Sequence, residues 1–367
     1  MIQKPRLKSF LTVYPLSSDA WALRGGSEEL WRVKLGEGGA RTLGLLLSYL
    51  DGSHEREAIL DRLESDGGDR NVAARLLDHL EAGAFLEDAN SDALTPEQAD
   101  RYRDQIIFFS RFSKTGGGAQ VQATLAAARV GVVGEGRLAQ RIVRGLERSG
   151  IGEVVVLTSG GAGARSKGNG AASDGGTVSY RALDRKSIWP EDAEDEPPAW
   201  WILAQEAHDP HLPAAFDEFA HRENVPWLLV RLLDAHEGWV GPLFVPGETA
   251  SFASLEGRLR GNLPFYEEYE ALDKFLRENA AAARPVGGLH ASYDVLAAIA
   301  VSEIVKLVTG AMVPHLAGRF ITLSFLTWET QMHDVLRIPH LEPRARQRPA
   351  LYPWKEPPFG DTKTRRG

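Results

Sequence analysis

Between Arg129 and Leu157 the chain spells out the start of a βαβ unit. An apolar run, Arg129-Val-Gly-Val-Val133, meets the turn Gly134-Glu-Gly136. A helical pattern from Leu138 to Ser149 comes next, and then a second apolar run from Glu153 to Leu157. This succession opens dinucleotide-binding sheets, and it commits the middle of the chain to an α/β fold. The glycines do not by themselves name a ligand, because a tight turn that brings helix and strand together is needed with or without phosphate. The residues after the second strand discriminate. A nucleotide-binding version places a carboxylate there to hold the ribose hydroxyls, whereas here Leu157 runs into Thr158-Ser159-Gly160-Gly161. Gly134 and Gly136 therefore read as a vestigial cofactor loop, and no cofactor is expected.

The same sheet continues downstream. Trp200 to Ala204 and Val225 to Val230 read as buried strands, with a helix from Leu212 to Arg222 between them. Gly160 to Thr177 is rich in Gly, Ala and Ser and reads as a flexible loop, and Ser187 to Pro198, acidic with three prolines, as a surface loop. Ala291 to Thr309 is an amphipathic helix with Val295, Ile299, Ile304 and Leu307 on its apolar side and Gly310 as its stop. Glu303 and Lys306 on it form a solvated i,i+3 pair worth a few tenths of a kcal/mol. Ile321 to Leu326 is a further strand.

Ahead of this body, Ser9 to Leu16, Ala20 to Arg24 and Glu29 to Leu35 are β-prone runs separated by Ser17-Ser18-Asp19 and Gly25-Gly26-Ser27. Three helices come after them. Leu43, Leu46, Leu47 and Leu50 mark the first, which Gly52 ends, and Ser53 caps the second, with Ile59, Leu60 and Leu63. Val72, Leu76, Leu77 and Leu80 mark the third, with Gly83 as its stop. This order makes a small winged-helix-like unit. Thr95-Pro96-Glu97 opens a connector helix running to about Phe112. Gly116-Gly117-Gly118 breaks it, and Ala123 to Ala128 leads into the main strand. The expected divisions are 1–91, a connector at 92–128, the α/β body at 129–340, and a Pro/Arg-rich tail at 341–367. The tail, with Tyr352 and Trp354, cannot build a core.

The 367 residues include no cysteine, which excludes disulfides, a thiol nucleophile and cysteine-ligated metal. A net charge of -8 argues against nucleic acid, for which a basic face supplies most of the affinity. The opening MIQKPRLKSFLTVYPL is not a secretory leader. Apolar runs such as Trp227 to Val230 and Val295 to Val301 fall far short of the roughly 20 residues that span a bilayer. A cytoplasmic location without membrane contact is expected. The ten histidines form no His-Glu-x-x-His pattern, and His208-Asp-Pro-His211 is a loop pair split by proline, so no metal site is expected. No Gly-x-Ser-x-Gly elbow or Walker lysine loop occurs, and no catalytic residue is assigned.

Specific motifs then point to a family. Gly241 to Asn262 resembles a segment of ThiF/E1-like proteins, in their peptide-antibiotic branch, that begins Gly-Pro, passes Pro-Gly and then carries Cys-x-x-Cys. Here those two slots hold Ser251 and Ser254. Trp328 to Pro339 resembles the family's closing motif, in which His-x-Val-Leu-x-x-Pro precedes a second Cys-x-x-Cys. Its slots fall near Leu341 and Arg344. A tetrathiolate zinc site needs four sulfurs, and all four are replaced. The Glu-x-x-Lys helix resembles the family's late helix. In the first ninety residues, LLLSYLDGSHEREAILDRL and LLDHLEAGAFLED resemble the PqqD-like recognition element of ribosomally made, post-translationally modified peptides (RiPPs), a module that binds the leader of a precursor peptide.

Together these resemblances imply an E1-like (Rossmann-type) body preceded by a winged-helix-like, PqqD-like domain. The implied protein is the partner of a YcaO-type, azoline-forming cyclodehydratase that makes thiazole/oxazole peptides. The YcaO protein would bind ATP and cyclise Cys, Ser or Thr side chains. This chain would be a non-catalytic, leader-binding subunit, homodimeric through its E1-like domain. In the family the leader lies between the third strand and the third helix. Carried over, that places it along Leu30, Trp31, Arg32, Val33, Lys34 and Leu35, against Arg75, Leu76, His79 and Leu80. For Trp31 and Val33, plain core packing is the competing reading. A DNA-reading winged helix is disfavoured by Asp78 and Glu81 beside Arg75. An ATP-dependent, peptide-adenylating E1-like enzyme and a redox Rossmann enzyme remain as alternatives, both weakened by the missing acid after Leu157.

Overall fold

The computed structural model describes residues 2–27, 29–35, 38–89, 93–113, 117–159, 176–190, 193–279 and 282–343. The expectations for the Gly160–Thr177 loop, apart from its last two residues, and for Arg344 and the rest of the tail lie outside them. The chain divides into two compact units, one reaching Thr124 and the other starting at Leu125.

The first unit opens with β1 (Pro5–Leu7) and an antiparallel meander of β2 (Thr12–Ser17), β3 (Ala20–Arg24) and β4 (Leu30–Lys34). Helices α1 (Gly39–Tyr49), α2 (Arg56–Ser65) and α3 (Arg70–Ala82) come next, and β5 (Leu86–Asp88) returns to pair with β1. The apolar faces read from periodicity meet in one core of Leu23, Val33, Leu43, Leu46, Ile59, Leu63, Leu77 and Leu80. β1 and β5 are too short to show a period, and the sequence pattern does not reveal them. Ser53 does not cap α2: its hydroxyl and N–H turn back to Asp51, and the helix starts after Glu55. Asp69 caps α3 by accepting the Val72 N–H at 2.9 Å.

The segment read as a connector packs into this unit. α4 (Pro96–Arg101), opened by a Thr95–Gln98 capping box, is separated from α5 (Arg103–Ser110) by a break at Tyr102. Where the glycine run predicted a break leading to a strand, a third helix forms, α6 (Gly117–Ala126). The reason is close approach. A side chain at Gly118 would collide with the Ile106 carbonyl, so glycine here lets α6 lie against α5. Buried Lys8 donates to the Ser113 carbonyl at 2.6 Å, and the Arg111 guanidinium lies 4.7 Å above the Phe10 ring.

The second unit is built on an eight-stranded sheet. It contains β6 (Arg129–Val133), α7 (Arg137–Arg148), β7 (Glu153–Thr158), β8 (Thr177–Ala182), β9 (Trp200–Gln205), α8 (His211–Glu223) and β10 (Trp227–Arg231). Then come β11 (Glu237–Phe244), α9 (Phe252–Gly261), α10 (Tyr266–Glu278), α11 (His290–Thr309), β12 (Arg319–Ser324) and β13 (Thr330–Asp334). Spatial order is β13-β12-β11-β10-β9-β6-β7-β8. Strands β6 to β10 run parallel, and β11 to β13 are antiparallel additions. β6 sits between β7 and β9, so strand order reverses beside it, the place where open α/β sheets bind ligands. Sequence patterning does not reveal β8, β11 and β13. β8 and β13 are edge strands whose mostly polar, exposed residues carry no strong apolar signal.

One face of the sheet buries an aromatic core of Trp201, Phe216, Phe219, Trp227, Phe244 and Phe252. Its tightest point is the pair Gly131 and Trp201, opposite each other on β6 and β9. On α11, Glu303 is buried and not solvated as expected. It holds Lys306 at 2.5 Å and accepts the Leu316 N–H at 2.9 Å, fastening the segment after the helix. No helix among the described residues is long and apolar enough to cross a membrane.

A β-carbon at Gly131 would enter the Trp201 ring, which has nowhere to move. Gly131→Ala should therefore destabilise the second unit by ~2–3 kcal/mol through overpacking. The urea unfolding midpoint measures this, and an unchanged midpoint would refute the packing described.

Candidate functional site

The outer edge of β4 is the first candidate. Leu35 N–H donates to the Asp19 carbonyl at 2.7 Å, and Gly25 N–H donates to the Glu29 carbonyl at 3.0 Å. These bonds bracket the β3–β4 ladder and fix its phase. Trp31 and Val33 point their backbone groups at β3, and Leu30, Arg32 and Lys34 turn theirs outward. β4 ends its sheet, so those outward N–H and C=O groups meet no strand among the described residues. Side chains alternate across the pleat as well. Val33 is buried, Trp31 packs edge-on against Phe85 with centroids 5.1 Å apart, and Leu30, Arg32 and Lys34 are exposed.

On α3, Leu76 and Leu80 join Val33 and Leu35 in the core, and Arg75 and His79 stay exposed. The structure thus brings Trp31, Val33, Leu35, Leu76 and Leu80 together as packing and leaves Leu30, Arg32, Lys34, Arg75 and His79 accessible. Asp78 and Glu81, the acids that marred this helix as a phosphate reader, both pair with Arg56.

The glycine turn after β6 is the second candidate. Gly134 has φ 149°, and a side chain there would lie 2.8 Å from the Ala204 carbonyl, so only glycine fits. Gly136 precedes α7, whose first N–H groups form an anion site by virtue of the helix dipole. That site is taken by the protein itself. Glu206, just after β9, accepts the Leu138 N–H at 2.6 Å, and a side chain at Gly136 would strike its carboxylate. Burial pushes the Glu206 carboxyl above its ordinary range, opposed by the N–H groups of Leu138 and Arg137. At the end of β7, Ser159 N–H donates to Glu135. Neither acid stands out in the sequence. The available signal was position, because Glu206 directly follows a buried strand at the carboxyl end of a parallel sheet.

The third region is the frame that carries Cys-x-x-Cys in the resembled family. Ser251 is the N-cap of α9, its Oγ accepting the Ser254 N–H at 3.3 Å. Both serines are buried, and both donate to one carboxylate oxygen of Glu342, Ser251 Oγ at 3.0 Å and Ser254 Oγ at 2.5 Å. Ser251 N–H adds a 3.1 Å bond, and Ser254 Oγ accepts the Ile338 N–H at 2.8 Å. A carboxylate from the closing segment therefore ties that segment to the start of α9. The expected slot Leu341 is Glu342's neighbour and packs toward Gly257. Asp217 adds a second acid at this helix end, accepting Phe252 N–H at 3.2 Å and Trp227 Nε1–H at 3.3 Å. Burial pushes its carboxyl up to about 6. His211 begins α8 rather than lying in a loop. Among the described residues no three metal-capable side chains cluster.

Glu342→Ala should cost ~1–3 kcal/mol, because two buried hydroxyls and an N–H lose their acceptor. Urea denaturation of the full chain reads this, and an effect below experimental error would dismiss the clamp. Asp217 gives a pH signature. Its folded carboxyl holds a proton more tightly than an unfolded aspartate, so its contribution is present below about pH 4 and lost as pH rises toward 6. Asp217→Asn removes that dependence. Between pH 4 and 6 the unfolding midpoint of the variant should gain on the natural chain, whereas a constant gap would contradict the assignment.

No known family profile matches the sequence, and no curated protein does. Solved structures do match. The heterocyclase TruD is similar at a TM-score of 0.63 and 21% identity, over 92% of this chain and 42% of TruD. The chain thus spans less than half of that protein's length. Escherichia coli MccB with ATP gives 0.58 and 15%, over 91% of this chain and 98% of MccB. The microcin C7 biosynthetic enzyme MccB in complex with N-formylated MccA gives 0.59 and 16%, over 91% and 98%. At these identities the likeness is one of fold. The α/β class expected from the sequence is found, built on a large, parallel-rich sheet, and the fold is shared with MccB.

Proposed function

We propose that this chain is a leader-peptide-binding, non-adenylating E1-like partner subunit of a YcaO-dependent, azoline-forming cyclodehydratase in RiPP biosynthesis. The observation that carries the reading is the open edge of β4, where Leu30, Arg32 and Lys34 offer backbone donors and acceptors to an added strand. The first 91 residues act as the PqqD-like module and hold the leader between β4 and α3, with Trp31 at the inner face and Arg75 and His79 at the rim. Tethering the leader raises the effective concentration of the core peptide at the partner's active site. A fold shared with a heterocyclase and with a microcin biosynthetic enzyme supports the setting. Glu206 on the α7 N-terminus and Glu135 on Ser159 support the absence of nucleotide chemistry in this chain, since both occupy positions where phosphate or ribose would be received. The protein works in the cytoplasm as a homodimer, with the YcaO protein supplying ATP chemistry.

A second reading, an ATP-dependent peptide-adenylating enzyme, is favoured by one fact: MccB of the same fold has been solved with ATP. Two measurements separate the readings. A labelled leader peptide, taken from the precursor encoded beside this gene, should bind the pure chain saturably. Arg32→Pro, which deletes one outward N–H, should weaken that binding at least tenfold, about 1.4 kcal/mol. Incubation with ATP, magnesium and the precursor should release no pyrophosphate above background. Pyrophosphate release would transfer the assignment to the adenylating enzyme, and leader binding unaffected by Arg32→Pro would remove the edge from the account.

A further inference from the structure

We infer that the peptide accepted by β4 is acidic on its outer face, with Asp or Glu at alternate positions and apolar residues between them. This inference rests on the leader-binding reading above and specifies the chemistry of its ligand.

The chain as a whole carries a charge of -8, yet the outer face of this small sheet is cationic. Arg32 and Lys34 lie two residues apart on β4, on the same side of the pleat, and Arg24 is the cross-strand partner of Leu30 on that face. Among the described residues none of the three has an acidic partner, and Arg24 spends its Nε–H on the Gly26 carbonyl. Arg75, exposed on α3, is likewise without one.

Several described acids of the unit are held by other cations. Arg56 holds Asp78 and Glu81, Arg70 holds Glu57 and Asp61, Arg6 holds Glu87, and Arg111 holds Glu29. Asp19, the acid nearest Lys34 in the ladder, takes the Ser17 hydroxyl at 2.6 Å. Among the described residues, the positive charges beside the open edge thus have no acid paired with them.

Strand geometry turns this into a sequence pattern. A strand added to β4 sets its residues directly across from Leu30, Arg32 and Lys34 on the same face, with β-carbons about 4.5–5.5 Å apart. Opposite charges in such pairs are favourable and like charges are not. The intervening residues fall on the inner face with Trp31 and Val33, where apolar side chains are favoured. Across Lys34, Val33, Arg32 and Trp31 the peptide therefore reads acid, apolar, acid, apolar, and no charge is called for opposite Leu30. The rival role for charged edge residues is to prevent strand pairing altogether.

A random dodecapeptide display library, selected against the full chain and against an Arg32→Glu/Lys34→Glu double variant, tests the inference. Both positions are exposed, so the double variant should keep the melting temperature of the natural chain. The natural chain should enrich Asp and Glu at two-residue spacing with apolar residues between. The double variant should enrich Lys and Arg at that spacing, and each peptide set should bind the other protein at least tenfold more weakly. Peptides without acidic enrichment that still lose binding to Arg32→Pro would overturn the charge pattern and leave the edge reading standing. Failure to recover any peptide, or peptides indifferent to Arg32→Pro, would overturn both. A fluorescein-labelled single-stranded 20-mer DNA bound as tightly as the selected peptides would overturn the inference in favour of nucleic acid.

Discussion

Buried and half-buried carboxylates set on backbone N–H groups are the constraint on which the larger unit depends. Glu206 sits on the start of α7, Glu342 and Asp217 on the start of α9, and Glu303 on the Leu316 N–H. A helix start presents unpaired donors and the positive end of a dipole, so an acid there satisfies groups that would otherwise be costly to bury. In each case the acid comes from a different part of the chain than the donor it meets. The carboxylates therefore act as ties between segments, in a protein without cysteines to serve that purpose.

Two of these ties lie at the candidate sites. At the glycine turn, the fold keeps the close strand-helix approach that Gly134 and Gly136 allow, and Glu206 fills the space an anion would occupy. At Ser251 and Ser254, Glu342 draws the closing segment onto the start of α9.

In the smaller unit the interest lies in what is left unsatisfied. Core residues Val33, Leu35, Leu76 and Leu80 fix the sheet on its helices, and this fixed core presents β4 with its outward groups exposed. An edge of this kind is normally shortened, covered or charged. β4 is five residues long and carries Arg32 and Lys34, a combination compatible with a guarded edge and with a selective one.

Periodicity alone determined much of the fold. The βαβ opening, the buried strands around Trp201 and Trp227, the long helix ending at Gly310 and the strand-then-helix order of the first ninety residues all derive from where apolar residues recur. β8 and β13 escaped because edge strands made mostly of polar residues carry no such period, and α6 because its glycines serve close packing with Ile106 instead of a break. Only the tertiary structure decided the partners of the acids. Glu206, Glu342 and Glu303 look like ordinary surface residues in sequence, and a carboxylate's role depends on which N–H groups folding brings within about 3 Å of it. Local patterning specifies elements, but the long-range meeting of one acid with one helix end belongs to the fold.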